Sequence, residues 1–200
     1  DETAYYLISR LPFEEMPDYA FEKTYSLRTL SPRHLIFAGI TGHQLYKGYK
    51  GRRFCGSCGR KMKPDKKERM MYCPHCQTME YPKLSPAVIV AVRNGDKLLL
   101  SKYAGRECTN YALIAGFAEI GEPIVDTVRR EVMEEVGLKV KNIRFYKSQP
   151  WSFSDTLLFG FFCDLDGDDT IRLDEEELAL AEWHERSQIP DDASEISLTR

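Results

Sequence analysis

Residues 116–138 read GFAEIGEPIVDTVRREVMEEVGL, and the fold turns on this stretch. Its spacing predicts a helix over 123–136. Val125, Val128, Val132 and Val136 keep one apolar face. Pro123 suits a first helical turn, and Gly137 suits the left-handed cap that ends a helix. On such a helix Glu131, Glu134 and Glu135 are three and four residues apart, so they crowd into a sector of about 100°. Like charges that close destabilise a bare helix. In an arbitrary sequence they would read as a solvated acidic face with Arg129 and Arg130 as partners. Here a Gly-containing turn precedes the helix, Glu119 and Glu122 stand at its entrance, and the opposite face is apolar. Hard divalent cations are held by a few carboxylates plus substrate phosphates and water. The cluster suits that work.

Strands are expected on either side. Ala87–Val92 is a buried-strand run, Asn94-Gly95-Asp96 a turn, and Lys97–Ser101 the returning strand. Another short strand is predicted at 111–115, with further strands near 138–147, 156–164 and 179–185. Tyr81-Pro82-Lys83-Leu84-Ser85-Pro86 reads as a stiff, extended linker. Before it, residues 1–54 alternate short apolar runs with breaks. They suggest a small α+β segment in which Leu35–Ala38 is a strand and Gly39–Gly42 a turn. The resulting domains are an N-terminal segment over 1–54, a Cys-rich module over 55–80 and a larger domain over 81–200.

Four of the six cysteines fall in two pairs, Cys55-Gly-Ser-Cys58 and Cys73-Pro-His-Cys76. This spacing fits a tetrahedral structural zinc site in which each turn presents two thiolates. Gly56 and Gly59 allow tight knuckles. Four Cys close the coordination sphere, so His75 is expected to be a bystander. Cys108 and Cys163 read as ordinary thiols, the latter in a buried strand.

The chain of 200 residues is long enough for a real core, and 42% hydrophobic content argues against disorder. No apolar run reaches the length of a membrane span. The acidic opening DETAYYLISR lacks the order of a signal peptide. Its lack of an initiator Met implies trimming or a cut boundary, and Ile196–Arg200 reads as the start of an unfinished helix. The net charge of −3 suggests no strong general affinity for nucleic acid. That mean hides an asymmetry. Residues 47–69 hold ten Lys/Arg against Asp65 and Glu68, whereas residues 164–195 hold thirteen acids against Arg172 and Arg186. The plain reading is two solvated faces of opposite sign. The sharper one is a basic stretch that steers a phosphate ligand.

The helical segment resembles the Nudix box, Gly-x5-Glu-x7-Arg-Glu-U-x-Glu-Glu-x-Gly-U, where U is a bulky aliphatic. Gly116, Glu122, Arg130, Glu131, Val132, Glu134, Glu135, Gly137 and Leu138 fill every fixed position. Resemblance to the Nudix hydrolases implies an α/β/α sandwich around a mixed sheet. It also implies cleavage of a nucleoside diphosphate linked to another moiety. The same resemblance implies that Glu131, Glu134 and Glu135 coordinate Mg²⁺ or Mn²⁺, joined by the backbone carbonyl of Ala115. Arg130 would hold a box carboxylate in place. In Asp174-Glu175-Glu176-Glu177-Leu178, Glu177 matches the family's Glu-Leu pattern before Trp183 and is a candidate further metal ligand or water-orienting base. Glu175 and Glu176 read as charged loop.

Downstream, Ser148-Gln149-Pro150-Trp151-Ser152-Phe153-Ser154-Asp155-Thr156 resembles SQPWPFPxS, the motif of the NADH pyrophosphatase subfamily. That subfamily also carries a four-Cys zinc ribbon before the Nudix domain, joined by a Tyr-Pro linker as at Tyr81-Pro82. Two motif prolines are Ser152 and Ser154 here, which predicts a looser loop. Thr156 keeps the hydroxyl of the final Ser. In the family the residue after the first box glycine, here Phe117, stacks on a base, and the linker Tyr, here Tyr81, reaches the partner subunit's site. Taken alone, Trp151, Phe117 and Tyr81 would each read as packing residues.

The resemblance thus implies a cytoplasmic, homodimeric enzyme with structural zinc. It would hydrolyse NAD(H) to nicotinamide mononucleotide and AMP and extend to NAD caps on RNA. The charge pattern separately suggests that the basic 47–69 stretch guides an RNA tail. The rivals are a broader dinucleotide or nucleotide-sugar pyrophosphatase, and a zinc-ribbon regulator on a retired Nudix scaffold.

Overall fold

The computed structural model describes residues 3–8, 20–105 and 110–189. Cys108 and the segment Ile196–Arg200 lie outside the described residues. The chain forms two compact units. One comprises residues up to Leu84 together with Ser152–Asp155, and the other comprises Ser85–Trp151 and the chain from Thr156. No described helix is long and apolar enough to cross a membrane.

In the first unit a 3-10 turn at Thr24–Thr29 precedes helix α1, Arg33–Gly51. This corrects the strand expected at Leu35–Ala38. A run of four apolar residues does not distinguish strand from helix. Here Ile36 and Ile40 stand one turn apart, and Ile40 is buried. The turn expected at Gly39–Gly42 also lies inside the helix. A Cβ on Gly48 would stand 3.4 Å from that of Pro82, so the helix backbone lies close against the linker proline. A three-stranded antiparallel ribbon follows: β1 Lys63–Pro64, β2 Met71–Tyr72 and β3 Met79–Glu80. Its small core is Cys55, Met62, Met71 and Cys73.

The second unit is a six-stranded mixed sheet. Its strands are β4 Ser85–Asn94, β5 Lys97–Tyr103, β6 Ile114–Phe117, β7 Val140–Trp151, β8 Thr156–Leu165 and β9 Leu178–Glu185. The order is β7-β8-β4-β5-β9, with β6 paired to β4. The β4–β8 pair is parallel and the others are antiparallel. Helix α2, Ile124–Val136, packs on the sheet through Val128, Val132 and Val136, all fully buried among Val88, Val90, Val92, Leu99 and Ile114. Each such Val contributes about 1.5–2 kcal/mol. Val125 does not join them. It is exposed, and Ile124, four residues before Val128, packs instead. Gly137 ends the helix at φ +69°, with its N–H donating to the Met133 carbonyl. The strand expected at 111–115 lies slightly later, with Ala112 making only a bridge to Ser101. Pro150 lies in β7, an edge strand, where a missing N–H is tolerated.

Candidate active site

The Glu131 carboxylate of α2 faces β6 across a single glycine. Gly116 lies against the Glu131 carboxylate so closely that a Cβ there would occupy the space of Glu131 Cδ and both oxygens. The Arg130 guanidinium ties the helix to the turn before it. Its Nε and Nη2 donate to the two oxygens of Glu122 at 2.8 and 2.9 Å. Nη2 also donates to the Phe117 carbonyl at 2.9 Å. Nη1 donates to Glu131 at 2.7 Å and to Glu134 at 2.9 Å. Glu122 further accepts from the buried Thr127 hydroxyl at 2.8 Å and from the Glu119 amide at 3.2 Å. Arg130 therefore holds one carboxylate outside the helix and two on it.

Electrostatically three of the box acids diverge. Arg130 holds Glu122 down at about 2, and the acids in turn raise Arg130. Burial pushes Glu131 up despite Arg130. Burial pushes Glu135 up to about 8, reinforced by the negative charges of Glu131, Glu177 and Asp174. The Ala115 amide lowers it somewhat without reaching hydrogen-bond geometry to either oxygen. Both oxygens of Glu135 are buried with no partner among the described residues, and the residue is 2% exposed. Two orphaned carboxylate oxygens beside further acids form a hard-donor set that Arg130 only partly neutralises, and a divalent cation fits it.

Glu177 is exposed at the end of the Asp174 turn, and its charge is felt at both Glu131 and Glu135. Asp174 escaped the reading of the sequence. Its backbone amide donates to the Glu135 carbonyl at 3.0 Å, joining the acidic loop to α2. Nothing in its spacing singles it out from the acid run. The Phe117 ring is exposed.

In the other unit the four cysteines converge, with all Sγ atoms within 4.8 Å of one another. Cys55–Cys76 and Cys58–Cys73 are 3.5 Å apart, and Cys58–Cys76 are 3.6 Å apart. Sulfurs at ~2.3 Å from a tetrahedral zinc would stand about 3.8 Å apart, so the cage fits that ion, and these separations are far too long for disulfides. The two knuckles repeat one geometry. The Gly59 N–H donates to the Cys55 carbonyl at 2.8 Å, and the Gln77 N–H donates to the Cys73 carbonyl at 2.9 Å. Gly59 and Gln77 take the left-handed conformation, so Gly59 and not Gly56 is the glycine the knuckle needs. The Cys58 amide helps pull Cys55 down to about 6. For Cys58 the Arg60 amide acts in the same sense, but burial and three neighbouring sulfurs push it up to about 12. Four thiolates this close require a cation. His75 is exposed and outside the cluster.

The downstream motif is a hairpin. Gln149, Pro150 and Trp151 finish β7, Ser152–Asp155 turn, and Thr156 opens β8 opposite Trp151. Ser152 and Thr156 are buried. Asp155, at φ +57°, pairs with Lys47 of α1 at 3.0 Å, and Phe153 meets Tyr25 edge-on. The predicted residues thus fall into two groups. Ala115, Phe117, Arg130, Glu131, Glu134, Glu135 and Glu177 belong to the sheet unit, as do Gln149–Trp151 and Thr156. The exposed Tyr81 and the turn Ser152, Phe153, Ser154 and Asp155 belong to the unit that carries the ribbon.

Comparison with known proteins follows the same division. Residues 52–81 match the NADH pyrophosphatase zinc ribbon domain, and residues 83–198 match the NUDIX domain. The chain is 42% identical over 149 residues to the NAD-capped RNA hydrolase NudC of Enterobacter sp. (strain 638), covering 74% of this chain and 57% of that protein. It is 41% identical to the NudC of Shigella dysenteriae serotype 1 (strain Sd197), over 74% of this chain and 58% of that protein. The chain thus spans somewhat over half the length of these relatives. A crystal structure of a NUDIX hydrolase from Nitrosomonas europaea superposes with a TM-score of 0.58 at 25% identity, covering 69% of this chain and 80% of that one. A filled box on a buried carboxylate helix, a matching domain over more than half the chain and a shared fold lead to one assignment: this chain belongs to the Nudix family.

Proposed function

We propose that this chain hydrolyses the pyrophosphate bond of NAD(H), giving nicotinamide mononucleotide and AMP, and that it removes NAD caps from RNA. The observation that carries the reading is the buried, unpartnered Glu135 carboxylate beside Glu131 and Glu177, in one chain with a four-thiol ribbon of the NADH pyrophosphatase type. The NudC relatives, named as NAD-capped RNA hydrolases, support the substrate class.

Glu131, Glu134, Glu135, Glu177 and the Ala115 carbonyl would hold Mg²⁺ or Mn²⁺, which supplies neutralisation of the bridging phosphates and orientation for in-line attack. Arg130 fixes the carboxylates through its bonds to Glu122 and Phe117. Burial holds the Glu135 acid up at about 8, and a bound divalent cation would favour its ionised form. Phe117 and Tyr81 offer flat exposed rings for the adenine and nicotinamide. Gln149, Pro150, Trp151, Ser152, Phe153, Ser154, Asp155 and Thr156 are the candidate substrate-binding residues of the downstream motif. The enzyme works as a cytoplasmic homodimer in which Tyr81 serves the partner's site. The proposed domains are 1–54, 55–80 and 81–200.

A broader dinucleotide or nucleotide-sugar pyrophosphatase is the second reading, favoured by Ser152 and Ser154 in place of the motif's prolines. Product analysis decides between them. Purified protein with Mg²⁺ or Mn²⁺ is given NADH, NAD⁺, NAD-capped RNA, other dinucleotides and a nucleotide sugar. Preferred release of the mononucleotide and AMP from NAD(H) supports the proposal, and equal turnover across the panel refutes it.

A further inference from the structure

The ribbon carries a charge that its fold does not use. Of the ten basic residues over 47–69, Lys47 pairs with Asp155 and Arg52 lies 3.8 Å from Glu80. The other eight are Lys50, Arg53, Arg60, Lys61, Lys63, Lys66, Lys67 and Arg69. They are exposed, and none forms an ion pair among the described residues. The two acids of the stretch do not quench them. The Asp65 carboxylate caps its own turn, accepting from the Lys67 and Glu68 amides at 2.7 and 2.8 Å. A zinc ion with four thiolates carries about −2, which still leaves a clear excess of positive charge. The rest of the chain is acidic: −3 overall, minus +8 for residues 47–69, leaves −11.

Lys50 lies in the last turn of α1, and the other seven lie on the short segments of the ribbon. Arg53 and Met62 are joined backbone to backbone, Phe54 bridges Lys61, and Lys63 lies in β1. Lys66, Lys67 and Arg69 occupy the connection from β1 to β2. Among them Phe54 is 61% exposed, with the Arg53 guanidinium 5.8 Å from its ring centre. Exposed cations interleaved with an aromatic face are the recognition chemistry of single-stranded nucleic acid, where phosphates meet the cations and a base stacks on the ring.

We infer that this basic segment of the zinc ribbon binds the single-stranded RNA chain that follows a 5′ cap, making the ribbon a docking surface for the RNA body as well as a structural element. The inference rests on the proposed NAD-cap hydrolysis for its biological substrate, but the binding itself is measurable without catalysis.

The probe is a fluorescein-labelled single-stranded 20-mer RNA with no NAD cap, titrated against zinc-loaded protein across a series of KCl concentrations. Each phosphate contact contributes about 0.7 to the log–log salt slope, so four contacts contribute about 2.8. Lys61, Lys63, Lys66 and Lys67 are each replaced by Gln in one variant and by Arg in a second. The Gln variant is expected to bind at least tenfold more weakly at 0.1 M salt, with a shallower slope. The Arg variant should bind like wild type, and both should turn over NADH normally. In cleavage, the Gln variant should raise KM for an NAD-capped 20-mer and leave KM for NADH alone. Wild-type RNA affinity and slope in the Gln variant would overturn the inference. So would equal losses in the Gln and Arg variants, or a Gln effect seen only with phosphatidylserine vesicles and not with RNA. If wild type binds the uncapped RNA through these lysines but never cleaves capped RNA, the surface stands and the catalytic reading fails.

Discussion

Replacing Glu135 by Gln separates what the buried carboxylate costs the fold from what it does for the reaction. The residue is 2% exposed, neither oxygen has a partner among the described residues, and its acid is raised from 4.5 to about 8. A group whose folded value lies above its unfolded value favours the protonated fold. The folded state therefore loses stability as pH rises from 4.5 and stops losing it near 8. Each pH unit in that window is worth about 1.4 kcal/mol. By this arithmetic the group costs under about 1 kcal/mol at pH 5 and about 3 kcal/mol at pH 7. The amide keeps the volume and cannot ionise. In protein dialysed free of Mg²⁺ and Mn²⁺ but retaining ribbon zinc, Glu135→Gln should thus be more stable than wild type, by a margin that grows by about 2–3 kcal/mol between pH 5 and pH 7. Urea unfolding followed by tryptophan fluorescence reads this, because Trp151 and Trp183, the two tryptophans of the chain, both lie in the sheet unit. Saturating Mg²⁺ or Mn²⁺ should then stabilise wild type and not the variant. Turnover of NADH should fall by orders of magnitude with the fold intact. A margin that stays flat from pH 5 to pH 7 would refute the electrostatic account, and wild-type turnover would refute the catalytic one.

Three further substitutions probe other parts of the structure. Gly116→Ala places a Cβ in the space of the Glu131 carboxylate, so it should cost about 1–3 kcal/mol by overpacking and abolish turnover; a melting curve and NADH assay matching wild type would contradict the close approach. Cys58→Ser removes one thiolate from the cage, so zinc content per chain should fall and proteolysis near the ribbon should begin before NADH turnover changes; full zinc content would show that three sulfurs suffice. Tyr81→Ala should weaken substrate binding by about 1–3 kcal/mol, the scale of one base–aromatic stack. If Tyr81 acts on the partner's site, mixed dimers with Glu135→Gln chains should regain one good site each, and no rescue despite subunit exchange, or a monomer by light scattering, would place the site within one chain.

Local patterns made much of this protein legible in its sequence. Valines four residues apart, a capping glycine and two CxxC knuckles each act within a few residues, so α2 and the thiol cage follow from spacing. Helix α1 did not follow. Gly39, Gly42, Gly48 and Gly51 each weaken a helix by about 1 kcal/mol, and Gly39–Gly42 reads as a turn, yet all four lie in α1. Val125 misled for the opposite reason. It is apolar and near the stripe, but it stands about 100° from Ile124, and only Ile124 meets the core. The role of Asp174 depends on a loop returning to the carbonyl of Glu135, a tertiary contact with no local mark.

The box arginine shows why spacing alone understates the site. On the sequence, Arg130 has Glu131 next to it and Glu134 one turn ahead, so it reads as a helical ion-pair partner. In the structure its strongest anchor is Glu122, eight residues back, which takes two of its N–H groups and is held ionised down to about 2. The Phe117 carbonyl takes another. Only Nη1 reaches Glu131 and Glu134. The guanidinium is thus fixed from outside the helix, and its contacts to the two proposed cation ligands use one nitrogen. Glu135 receives none of this compensation. One positive charge therefore divides the acids into a permanent anchor, two shared ligands and one uncompensated carboxylate, and that last position is where a divalent cation gains most by binding.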